Sequence, residues 1–330
     1  MKARCVVFSV FVILCTGTLA GPARAADPAY PTRQIELIAP VAPGGALDTI
    51  MRAVAEYATK KFGSPVIVVN KPGGGAVPGI HYALKEAKPD GYTLLADGGQ
   101  GTSMMVAAML NPPIKLEDRV FLGRINVDPT AFAVRTDAPW KNLKELSDWV
   151  KAHPKELTWG STGPFGASAF GTGEWLTAIG VNPFDTRMVT SMGWGETSPR
   201  LLGGHIMLAC QTVAEFWALT KAGKIRTLAV LDDKRSPFLP DVPTAAEAGT
   251  PGLRGVKWWA GISVAVGFPQ YAFDKCAKLI EEMCNDPVFK KKMEDLHYNV
   301  AYLDPAATKE MLYKEAEFYI KLAPKIGVRK

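Results

Sequence analysis

One pattern constrains this chain more than any other. Short apolar runs closed by glycine or proline alternate with stretches whose apolar residues recur at helical spacing, the mark of an α/β fold. Ile35 to Pro40 reads as a strand ended by Pro43-Gly44-Gly45, and residues 47–61 as an amphipathic helix. Pro65 to Val69 reads as the next strand, a helix over about 78–87 follows, and Tyr92 to Ala96 is a third strand. Strands separated by helices need right-handed crossovers and pair in parallel.

A second series begins near residue 126, with strands at Thr130 to Val134, Leu157 to Gly160, Thr186 to Val189, His205 to Cys210 and Thr227 to Leu231. Helices at Leu143 to Ala152, Ala167 to Ile179 and Glu196 to Leu202 lie between them. Residues 232–254 are rich in proline and glycine and read as loop, with one short helix at Ala245 to Ala248. Trp258 to Val266 is a last strand, followed by helices at about 270–284, 287–296 and 305–321. That closing segment is expected to complete the first sheet. The domains are therefore expected to be discontinuous: 27–125 with 256–330 as domain 1, and 126–255 as domain 2. A length of 330 residues also suits two folding units.

Residues 1–26 stand apart. Lys2 and Arg4 precede an apolar run from Cys5 to Ala20, and Gly21 to Ala26 ends in an Ala-x-Ala site. This reads as a secretory signal peptide, 1–26, cleaved after Ala25 or Ala26; the alternative is an N-terminal anchor. The segment holds Lys2, Arg4 and Arg24 and no acid, so its removal lowers the net charge from +6 to +3. A charge that small, with no basic stripe, gives no nucleic-acid footprint. Of five cysteines, Cys5 and Cys15 leave with the signal. Cys276 and Cys284 are eight residues apart on one expected helix, about 12 Å at a rise of 1.5 Å per residue, beyond disulfide reach. Buried thiols are the expectation for these two and Cys210, a bridge from Cys210 to one of them the alternative.

Most enzymatic patterns fail. Gly73-Gly74-Gly75-Ala76-Val77-Pro78 has proline where a dinucleotide fingerprint needs its third glycine, and Gly223-Lys224 lacks the rest of a phosphate-binding loop. His81, His153, His205 and His297 have no partner at metal-ligand spacing. Gly166-Ala167-Ser168-Ala169-Phe170 lacks the closing glycine of a nucleophile elbow. No cofactor is implied.

Two glycine-rich turns remain, each joining a strand to a helix. The first is Pro43-Gly44-Gly45-Ala46-Leu47-Asp48, and the second runs from Gly160 through Ser161, Thr162 and Gly163 to Ala167 and Ser168. A helix N-terminus presents unpaired N–H groups and the positive end of its dipole, and glycine admits an anion close to that backbone. Each turn is a candidate carboxylate seat, and ordinary turn chemistry is its alternative. Asp48 falls in the first helical turn, where it either contacts ligand or caps the loop. Trp159 and Trp194 are candidates for an apolar wall or for core, and Met192-Gly193-Trp194-Gly195-Glu196 has the form of a pocket loop. Gly98, Gln100 and Gln211, near strand ends, complete the candidate ligand-binding set.

Several segments together resemble a known family. They are Tyr30-Pro31-Thr32-Arg33-Gln34-Ile35, Pro43 to Asp48, Val68-Val69-Asn70-Lys71-Pro72-Gly73-Gly74-Gly75 and Pro89-Asp90-Gly91-Tyr92-Thr93-Leu94-Leu95, then Leu201-Leu202-Gly203-Gly204, Ala222-Gly223-Lys224-Ile225-Arg226 and Pro240-Asp241-Val242-Pro243. In this order they resemble the Bug family of periplasmic receptors, the solute-binding components of tripartite tricarboxylate transporters. The resemblance implies a two-domain, flytrap-like periplasmic binding fold of type II. It implies a monomer that captures a small organic carboxylate, a dicarboxylate or an aromatic acid, and delivers it to membrane permease subunits. A sensor subunit signalling to a membrane kinase is the alternative, and a secreted hydrolase or lyase using Asp48 or Glu196 a weaker one. In the family, the loop matching 43–48 holds one carboxylate through main-chain groups and water, and the loop matching 160–168 contributes from the other domain. This chain departs from the family where Ser191-Met192-Gly193-Trp194 replaces a common Tyr-Lys-Gly, which points to a more apolar or aromatic ligand end.

Overall fold

A computed structural model describes residues 29–253 and 256–328. The expected signal peptide lies outside the described residues. Along the chain come β1 (Ile35–Ala39), α1 (Ala46–Phe62), β2 (Val66–Asn70), α2 (Val77–His81), β3 (Thr93–Gly98), α3 (Ser103–Ala108) and β4 (Arg119–Arg135). Then follow α4 (Leu143–Ala152), β5 (Thr158–Thr162), α5 (Ala167–Ala178), β6 (Arg187–Ser191), α6 (Trp194–Leu202), β7 (Leu208–Thr212), α7 (Val213–Lys221) and β8 (Ile225–Val230). The chain closes with β9 (Lys257–Ala265), α8 (Gln270–Asn285), α9 (Pro287–Asp295), β10 (Val300–Leu303) and α10 (Pro305–Leu322).

The main path of the sheet runs β2-β1-β3-β9-β4-β7-β5-β6, and β8 and β10 also pair with β4. Parallel pairing links β1 to both β2 and β3, and β5 to both β6 and β7, as the crossover rule predicts. β1 is buried through both faces at Leu37, Ile38 and Ala39, which accounts for its nearly continuous apolar sequence. α1 covers one face with Ile50, Met51, Val54 and Ala58, and each of the first three side chains removed from water contributes about 1.5 to 3 kcal/mol. It ends at Gly63, whose φ of +67° suits a glycine. α4 starts on an Asn142 side chain that accepts from the Glu145 N–H.

No new strand opens near 126. One 17-residue strand, β4, runs through that position. Its first part pairs with β9 as far as Pro129 opposite Lys257, and Thr130 begins the ladder with β7 opposite Thr212. Of the two residues here that disfavour a strand, Gly123 and Pro129, a bulge absorbs the first. The second sits at the changeover of partners, where a missing N–H is tolerated. β4 thus joins the two halves of the sheet.

Other expectations need correction. The segment after β9 adds a second strand, β10, a four-residue partner of β4 too short to announce itself. The helix expected over 78–87 is α2 continued by a wider π-type turn at Tyr82–Glu86. Ala245 to Ala248 is a succession of turns, not a helix. α3 and α7 were not foreseen, and the strand expected at His205 to Cys210 begins only at Leu208, because Gly203-Gly204-His205 still closes α6. Cys210, Cys276 and Cys284 are free and buried. Burial pushes the Cys210 thiol up to about 12, that of an inert thiol.

Candidate functional site

Both glycine-rich turns lie at the C-terminal ends of parallel strands, the usual place for ligands in α/β sheets. The first is fixed by a buried acid. Asp48 Oδ2 accepts from the Gly44 N–H at 2.9 Å and from Arg52 Nε at 2.9 Å, while Oδ1 accepts from Asn70 Nδ2 at 2.8 Å. Burial pushes this carboxyl up, but the Arg52 guanidinium, the Gly44 N–H and the Asn70 amide outweigh it and hold the acid below its ordinary value. Gly44 adopts φ +84°, which turns its N–H toward Asp48. Asp48 therefore shapes the loop and is not part of the cavity wall. Gly45 caps α1 with no side-chain bond, leaving the first helical N–H groups to other acceptors.

The second turn is held by hydroxyls. Ser161, fully buried, donates to the Gly163 carbonyl at 2.8 Å, and Ser168 Oγ accepts from the Thr162 N–H at 2.8 Å. Gln211 Nε2 donates to Thr162 Oγ1 at 2.9 Å, tying the end of β7 to the end of β5. Gly166 caps α5, again without a side-chain bond.

The turns open into one cavity of about 290 Å³. Of the residues expected from sequence, Pro43, Gly45, Ala46, Leu47, Gly98 and Gln100 line it from one half of the sheet. Thr162, Ala167, Ser168, Met192, Trp194 and Gln211 line it from the other. Gly44, Asp48 and Ser161 stand behind the wall, and Gly163 lines an adjoining outer groove of about 250 Å³. Trp194 packs edge-on against Phe216 with ring centroids 5.1 Å apart. Trp159 is core instead: it is buried among Phe132, Trp175 and Leu208, and its indole donates to Thr186. The Gly98 to Gly101 turn is set by an Asp97–Arg119 ion pair at 2.7 Å, both side chains buried. Arg119 also donates to the Gly101 carbonyl at 3.1 Å.

Sequence reasoning missed Thr130, Trp258, Thr212 and Glu215, all of which line the cavity. Glu215 is the most informative. It stands in the first turn of α7, its Oε2 accepts from Thr212 Oγ1 at 3.1 Å, and its carboxylate also faces the Ala46 N–H at the start of α1. Burial pushes its carboxyl above the ordinary value despite those bonds. A signal was present: Thr212-Val213-Ala214-Glu215 is a capping box ahead of an apolar pair, and both reciprocal bonds form.

With this geometry in view, the chain can be set beside known proteins. It matches the family described as "Tripartite tricarboxylate transporter family receptor" over residues 50–327. BugT of Bordetella pertussis is 30% identical over 260 residues, which cover 76% of this chain and 75% of that protein. The structure of the periplasmic binding protein BugD is similar at 29% identity with a TM-score of 0.84, covering 91% of this chain and 100% of that one. An R. palustris protein whose structure is described with adipate shares the fold at 23% identity and a TM-score of 0.84, over 90% of this chain and 98% of its own. These likenesses agree with a two-domain binding-protein architecture, and a family match over most of the sequence places the chain. It belongs to the tripartite tricarboxylate transporter receptor family, whose members are solute-binding receptors and not enzymes.

Proposed function

We propose that this protein is a periplasmic receptor that captures a small organic carboxylate and delivers it to the membrane permease of a tripartite tricarboxylate transporter. A dicarboxylate or an aromatic acid is the ligand class that the sequence suggests. One observation carries the reading: the uncapped N-termini of α1 and α5, from opposite halves of the sheet, converge on a single cavity. N–H groups and dipoles there suit an anion that the small net charge does not explain. Residues 27–125 with 256–330 and residues 126–255 would be the two closing domains, acting as a monomer, with β4 and β9 as the connecting strands. Adipate and malate, named with the structures of two fold relatives, are support of the same kind.

A thermal-shift screen over organic acids tests this. Ligand at about 100 times its Kd adds about 2.7 kcal/mol of stability, a clear rise in Tm. Ala167→Asp sharpens the test, because it places an acid on the first residue of α5, where the dipole favours it, yet fills the seat with negative charge. The expected result is a folded variant with affinity reduced about a hundredfold or more, about 3 kcal/mol. Turnover of the acids with no binding shift, or undiminished affinity in Ala167→Asp, would reject the reading.

A further inference from the structure

The charge of the cavity is one-sided. Its acids are Glu215, Glu196 and Asp97, and none of its described lining residues is Lys, Arg or His. Asp97 is paired with Arg119, and Glu196 lies 3.8 Å from Arg200. Glu215 differs, because the partners of its carboxylate are uncharged, the Thr212 hydroxyl and N–H, with the Ala46 N–H facing it. A carboxylate held in a cleft without a counter-ion is costly until something supplies the positive charge.

Glu215 also stands where a second ligand carboxylate would have to go. Facing the Ala46 N–H, it puts an acid at the N-terminus of α1, where a second carboxylate would compete for the same N–H groups. The N-terminus of α5 offers only neutral groups, namely Thr162, Ser168 and Gln211 with the main chain. Trp194 and Trp258 line the same cavity, and an indole face attracts a cationic nitrogen.

We infer that the cavity selects a zwitterion, with its carboxylate at the N-terminus of α5 and its cationic nitrogen beside Glu215. The inference rests on the receptor reading above and narrows it. Calorimetric titration of the mature chain compares 4-trimethylammoniobutyrate with 5,5-dimethylhexanoate, its isostere with an uncharged head, and with adipate. The zwitterion is expected to bind about tenfold tighter than either. That preference shrinks several-fold in Glu215→Gln and in Trp194→Leu. Each preference is a ratio measured within one variant, so a lower folded fraction does not alter it, and Trp194→Leu decides if Glu215→Gln fails to fold. Adipate or the isostere binding as tightly as the zwitterion overturns the inference, as does an undiminished preference in the variants. In either case, or if only other carboxylates bind, the receptor reading stands. No binding by any of the three or by the wider panel of acids overturns both.

Discussion

The two helix N-termini at the cavity begin alike and end differently. Gly45 before α1 has φ −81° and ψ 173°, and Gly166 before α5 has φ −77° and ψ 179°, so both are extended caps with no side-chain bond. Their surroundings are opposite. A Cβ on Gly45 would meet only the Ala42 carbonyl at 4.0 Å, whereas one on Gly166 would stand 2.3 Å from the Thr162 carbonyl and 3.2 Å from Gln100 Oε1. The α1 end is fixed from behind by Asp48 and faces the Glu215 carboxylate. The α5 end is fixed by backbone crowding and hydroxyls. One glycine motif therefore does two jobs: close approach of chain to chain at α5, and an open helix end at α1 that the protein partly fills with its own acid.

Gly166→Ala should give the largest loss that breaks or sharpens this contrast. The Thr162 carbonyl is backbone and cannot swing aside, so the loop must shift. The expected cost is about 2 to 3 kcal/mol in urea unfolding, typical of overpacking. A loss below about 0.5 kcal/mol would mean that the α5 turn has slack and the two ends are equivalent. Asp48→Ala comes next, at about 2 kcal/mol, because it removes the buried acceptor shared by the Gly44 N–H, the Asn70 amide and the Arg52 guanidinium. Its damage is expected mainly in stability, with affinity changed less than by Ala167→Asp. The reverse ranking would put Asp48 in contact with ligand.

Much of this arrangement was legible in the sequence, and the reasons for the exceptions are physical. Both turns could be read because at each a glycine cluster follows an apolar strand and precedes a helix, the place where a chain must turn sharply. α7 was hidden because β7 passes into it with no glycine or proline; the Thr212 cap alone marks the change. With the helix went Glu215, whose role depends on meeting Ala46 across 169 residues of chain. β4 was read short because its bulge at Gly123 and the exchange of partners at Pro129 look like strand ends until β9 and β7 are in place. Asp48 is legible in the first helical turn, but the folded surroundings, Gly44, Arg52 and Asn70, decide which way its carboxylate faces.

Asp48 and Glu215 meet the same helix end with opposite shifts, which gives the contrast a pH signature. Asp48, held below its ordinary value, contributes stability that is full above about pH 4 and is lost as pH falls through its lowered value. Glu215 is raised, and Tyr298 nearby is raised in part by it. The folded chain holds the Glu215 proton longer than the unfolded chain, so stability falls as pH rises from about 4.3 toward the raised value. Glu215→Gln should remove that falling limb, gaining on the parent as pH climbs through the window. Urea titrations at several pH values check this, and a parallel pH dependence in parent and variant would count against an acid held at the start of α1.

Gly45→Ala should show the smallest effect of all. Alanine is a poorer helix cap than glycine by a few tenths of a kcal/mol or somewhat more. Against that, replacing glycine where the backbone is already compatible with alanine stabilises by about 0.4 to 1 kcal/mol through the unfolded chain. Extended φ and open space meet that condition at Gly45. The two terms nearly cancel, so a net change within about 0.5 kcal/mol is expected in the same urea assay that detects Gly166→Ala. A loss at Gly45 as large as at Gly166 would show that the α1 end is closed in solution. The seat would then be tighter than its geometry allows, and Glu215 would have to reach it by a different path.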